Sequence, residues 1–113
     1  MQLVHVTDAP PHDPERFVAV PFLDGRQCNA RVIRLAAGQA LPAHTHAPSE
    51  LMLYVAEGSA ELDTEQGVTP FPSGSLALYT GDEELRVSNP GPDPVTLLAF
   101  LAPPFPPAPR GAD

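Results

Sequence analysis

The 113 residues suffice for one hydrophobic core and not for two, and a 42% apolar content supplies that core without a disulfide framework or disorder. A net charge of −8, from 14 acidic against six basic residues, argues against a nucleic-acid partner, and the apolar runs fall well short of the roughly 20 residues of a membrane-spanning helix. Sixteen prolines and eight glycines leave almost no window for a long helix, because proline lacks an amide donor and clashes inside helices.

Gln2–Val6 alternates weakly and leads into a proline-rich stretch, which predicts an N-terminal arm or edge strand over residues 1–15. Arg16–Leu23 and Gln27–Ala36 are rich in β-branched and aromatic residues and flank Asp24-Gly25, a turn pair that predicts a hairpin. Gly38–Pro48 is turn-rich and carries His44 and His46. Glu50–Ala56 reads as a strand closed by the Glu57-Gly58 corner. Ser59–Asp63, Val68–Phe71, Ser75–Thr80, Leu85–Ser88 and Val95–Leu101 follow as short strands, each bounded by Gly, Pro or Asn. This pattern predicts an all-β sandwich or barrel over residues 16–102, with a proline-rich tail over 103–113.

Leu51, Leu53 and Val55 alternate with Met52, Tyr54 and Ala56, so both faces of that strand are apolar. One face lines the interior. The other needs a second layer or a second subunit, which predicts a homodimer. Cys28 is the lone cysteine and reads as a small buried hydrophobe in mid-strand. With no disulfide possible within the chain and no basic-then-apolar leader, a cytoplasmic location is expected. Ser73 and Ser75 lack the elbow of a serine hydrolase, Tyr54 and Tyr79 suit strand packing, and His5 and His12 of the arm read as solvated.

His44 and His46 stand two apart, and the period of a strand puts both imidazoles on one face, where they can chelate a single divalent ion such as iron, zinc, nickel or manganese. Glu50 follows four residues later as a candidate third ligand. On spacing alone the pair reads more readily as two solvated residues of a surface loop.

The surroundings of the pair carry more. Gly38, then His44-x-His46, Glu50 and Tyr54-Val55-Ala56-Glu57-Gly58 resemble the first motif of the cupin family. Pro72-x-Gly74 and Asn89, followed by a Pro/Gly turn and the strand Val95–Leu101, resemble its second. The resemblance implies a double-stranded β-helix barrel of the jelly-roll type with its site in the barrel mouth. It also implies dioxygenase, isomerase or decarboxylase chemistry where a metal is held. Metal-binding cupins hold the ion with three histidines and one glutamate, and two of those positions fall here on Leu51 and Leu85. Glu50 lies one residue before its expected place, which turns a side chain to the opposite face unless the strand begins at Leu51 or carries a bulge, an irregular entry that Pro48 favours. Three functional readings follow: a partial metal site at His44, His46 and Glu50; a metal-free pocket lined by Leu51 and Leu85 that binds a small apolar molecule; and a purely structural barrel whose interior is filled by side chains such as Met52 and Phe100.

Overall fold

Between the proline and glycine punctuation, each β-branched or leucine-rich segment forms a strand. The computed structural model describes residues 1–104, with eight strands among them. They are β1 (Val18–Asp24), β2 (Asn29–Leu35), β3 (Glu50–Glu57), β4 (Ser59–Thr64), β5 (Gly67–Pro72), β6 (Leu76–Tyr79), β7 (Val87–Ser88) and β8 (Val95–Ala102). All pairings are antiparallel. One sheet has the order β1-β2-β8-β3-β6 and the other β5-β4-β7. The inner faces of the two sheets share one core, in which Leu35, Leu53, Val55 and Leu97 of the large sheet meet Ala60, Leu62, Phe71 and Val87 of the small one.

The hairpin at Asp24-Gly25 forms, but its loop runs from Gly25 to Cys28, closed by the Gly25 amide donating to the Cys28 carbonyl at 2.8 Å. Cys28 is therefore an exposed loop residue and not the buried strand residue expected of it. The corner after β3 depends on Gly58, whose φ is +81° and whose missing Cβ would lie 2.2 Å from the Pro94 carbonyl oxygen. Among the described residues no helix is long and apolar enough to cross a membrane.

The N-terminal arm forms no strand at Gln2–Val6; it makes one short 3₁₀ turn, Val6–Asp8, capped by the His5 side chain. Buried Arg34 fastens this arm to the large sheet. Its Nε donates to the Pro10 carbonyl at 2.7 Å, its Nη2 to the Val6 carbonyl at 2.7 Å and its Nη1 to the Thr96 hydroxyl at 3.0 Å. The Thr96 hydroxyl in turn donates to Glu57 at 2.8 Å. His12, expected in solvent, is partly buried with Nε2 2.9 Å from the Val95 carbonyl oxygen. Backbone carbonyls and a hydroxyl thus satisfy a guanidinium that would be costly to bury alone.

Candidate functional site

β2 carries Arg31, Ile33 and Leu35 on its inner face, and the register opposes Arg31 to Ala99 and Ile33 to Leu97 on β8. On the neighbouring β3, Leu51 opposes Leu101 and Leu53 opposes Ala99. This lattice of inward side chains forms one wall of a cavity of about 340 Å³. Phe17 and Ala19, at the start of β1, close one side. The opposite wall is the segment Leu41–His46 together with Leu85.

That opposite wall is held by backbone pairing. Leu41 donates to the Val87 carbonyl at 3.1 Å, and Leu85 donates to the His44 carbonyl at 2.8 Å. The amides of His46 and Ala47 both donate to the Gly81 carbonyl, at 3.0 and 2.9 Å. Gly81 is required there because a Cβ would sit 2.8 Å from Ala47 Cα and 2.9 Å from the Ser49 carbonyl oxygen. These contacts deliver both imidazoles to the cavity, with ring centroids 4.4 Å apart and planes at 62°.

His44 Nδ1 lies 2.7 Å from the Pro42 carbonyl oxygen. A carbonyl only accepts, so Nδ1 carries the proton and neutral His44 keeps Nε2 as its lone-pair nitrogen. His46 is 4% exposed, and burial, aided by the adjacent His44, pulls its imidazole down to about 4. It is neutral at physiological pH.

Glu50 does not join the pair. β3 begins at Glu50 itself and runs in unbroken register with β8 as far as Val55, so Glu50 shares the exposed outer face with Met52 and Tyr54. The irregularity that would have turned it inward lies at the other end of the strand, between Val55 and Glu57. Leu51 and Leu85 do face the cavity, each 1% exposed. Glu84, next to Leu85, points to solvent and pairs with Arg86 at 2.7 Å. Among the described residues no three of His, Cys, Asp and Glu come together as a metal-binding group. The donor set of a three-histidine, one-glutamate centre is therefore not assembled: two imidazoles stand where four ligands would. Met52 and Phe100 lie on the outer face, 46% and 38% exposed, and do not fill the barrel. Tyr79 is a core residue and Tyr54 an outer-face one.

Arg31, Phe17, Ala19, Leu41 and Ala99 also line the cavity, and none of them stood out in the sequence as a site residue. A signal for Arg31 was present: Arg31 and Arg34 are three apart in one strand, so each face of β2 must take one.

The family profile described as a cupin domain matches residues 31–101. The chain is a cupin. An RmlC-like cupin protein from Desulfovibrio desulfuricans superposes with a TM-score of 0.81 at 26% identity, over 93% of this chain and 99% of that one. A protein with a double-stranded β-helix domain from Klebsiella pneumoniae gives 0.82 at 20% identity, over 90% and 84% of the two chains. KdgF from a Halomonas species gives 0.77 at 13% identity, over 91% and 94%. The latter two share the fold. Among curated proteins none matches this cupin significantly. The double-stranded β-helix expected from the motifs is thus the fold, and the cavity lies in its mouth, between the inner face of the large sheet and the loop that carries the histidines.

Proposed function

We propose that this cupin binds a small, predominantly apolar molecule in the cavity beside His44 and His46, without a metal. The observation that carries the reading is the inward orientation of Leu51 and Leu85, which places hydrocarbon at the two positions where the family's metal sites have ligands. Phe17, Ile33 and Leu101 continue the apolar lining, and a volume of about 340 Å³ accommodates a substituted aromatic ring. The two imidazoles supply the few polar contacts that orient a ligand. Titration of ¹⁵N-labelled protein with phenylacetamide tests this. Shifts should centre on Ile33, Leu51 and Leu85 and vanish in Ala99→Leu, which fills the cavity; shifts scattered over the surface would refute it.

A second reading has one observation in its favour. The closeness of the two rings and the fixed lone pair of His44 suit a divalent ion held by two imidazoles, with iron, zinc, nickel or manganese as the candidates. Elemental analysis of untagged protein, compared with the His44→Ala/His46→Ala variant, separates the readings.

We also propose that the outer face of the large sheet is covered by a second copy of the chain. Exposed Met52 opposes exposed Leu78 on one side and Phe100 on the other, and Tyr54 opposes Leu76, so one apolar patch crosses three adjacent strands. A two-fold dimer uses such a patch twice.

A further inference from the structure

Among the described residues Arg31 is the one strongly basic side chain in the cavity wall, and none of the others engages it. Among the described residues, Arg34 is held by two carbonyls and Thr96, and Arg86 by Glu84 and Asp63, whereas no hydrogen bond or ion pair reaches the Arg31 guanidinium. No Asp or Glu among the described residues lines the cavity. In a chain of net charge −8, this is a pocket whose own ionised group is positive. The strand beside it is irregular at the same level: Pro21 opposes Arg31, and the register then slips between Pro21 and Leu23, leaving Phe22 as an extra residue. Such bulges bend an edge strand and re-aim neighbouring side chains.

We propose that Arg31 anchors the carboxylate of an apolar monocarboxylic acid, aromatic or branched, whose hydrocarbon part occupies the space between Ile33, Leu51 and Leu85. The inference rests on the apolar-pocket reading above and adds a charge to its ligand. Arg31 is half-buried among apolar neighbours and meets no anion among the described residues, so a carboxylate that enters the cavity finds a bidentate donor without a competing partner. Loss of water around both charges strengthens the pairing over that of an exposed ion pair.

Calorimetric titration with matched pairs tests it: phenylacetate with phenylacetamide, and 3-methylbutanoate with its amide, on wild type, Arg31→Met and Arg31→Lys. Arg31→Met keeps the hydrocarbon stem and removes the charge. Wild type should bind each acid about tenfold or more tightly than its amide, the increment of a charge-assisted pair. Arg31→Met should erase that preference while leaving amide affinity within about twofold, and Arg31→Lys should retain part of it. Equal binding of acid and amide by wild type overturns the role of Arg31 and leaves the pocket standing. An equal loss of both in Arg31→Met overturns it as well, because the arginine then only packs. Failure of all four compounds to bind wild type overturns the pocket reading and this proposal together.

Discussion

Leu85 and His44 face each other as a backbone bridge, the Leu85 amide donating to the His44 carbonyl at 2.8 Å and the His44 amide to the Leu85 carbonyl at 3.3 Å. The leucine at the family's second-motif histidine position is thus aligned with the first histidine of the pair. Leu51→Glu/Leu85→His should complete a ligand set around His44 and His46. Buried carboxylate and imidazole without an ion destabilise the barrel, so the variant should melt below wild type and regain that stability on addition of zinc or manganese. Wild type should show little metal-dependent change in Tm, and Glu50→Ala should behave like wild type. A double variant indifferent to metal would count against the inward geometry.

Cavity walls respond to truncation in a characteristic way. Leu51→Ala removes a fully buried side chain beside an existing void and should cost about 2–5 kcal/mol in urea unfolding. A small neutral aromatic such as phenylacetamide should recover more of the loss in the variant than it adds to wild type, measured as the shift in unfolding midpoint.

Gly81 sets the position of the histidine loop through its carbonyl and its missing side chain. Gly81→Ala forces a Cβ against Ala47 Cα and the Ser49 carbonyl, and should destabilise by about 1–3 kcal/mol. The imidazole resonances of His46 should move with it, whereas those of His5, on the arm, should not.

The burial of His46 makes stability depend on pH in a defined window. Its folded value of about 4 lies below the ordinary 6.5, so the unfolded chain takes a proton between those values and the folded chain does not. The contribution is fully present above about pH 7, falls as pH drops from 6.5 to 4, and is constant below, with a ceiling of about 3 kcal/mol. The difference between the stability curves of wild type and His46→Gln should show that slope, since the carboxylates common to both cancel. A flat difference would contradict the burial of the ring.

On the outer face, Met52→Lys/Leu78→Lys replaces two opposed exposed side chains and leaves the core untouched. Light scattering should report a dimer for wild type and a monomer for the variant, with the circular dichroism spectrum unchanged. A monomeric wild type would refute the dimer.

The strands were legible because proline and glycine delimit them, and the alternation in Glu50–Glu57 correctly separates Leu51, Leu53 and Val55 from Met52 and Tyr54. The orientation of Glu50 was not legible, because it turned on whether a bulge lay before or after the strand's centre, which is a property of pairing with β8 and not of the local residues. Arg31 escaped notice for a related reason. Which of Arg31 and Arg34 faces the cavity depends on where the N-terminal arm docks, and that docking is made by backbone carbonyls at Val6 and Pro10, groups present in every sequence. Cys28 was misplaced because β2 starts at Asn29, two residues after the Gln27 expected to open it: the hairpin loop is longer than its Asp-Gly pair suggested.

The position of β8 carries a consequence for how the chain is made. β2 and β3 do not pair with each other; β8, which follows β3 only after four intervening strands, lies between the two. The growing polypeptide can close its early β1–β2 hairpin, but the two halves of the large sheet stay unjoined until synthesis passes Val95, and the arm at His12 has no carbonyl to meet before then. Assembly is thus dominated by contacts distant along the chain, which is slow. During that interval the free edges of β2 and β3 are open to the wrong strand, so this small barrel is most exposed to aggregation just before its last strand is available.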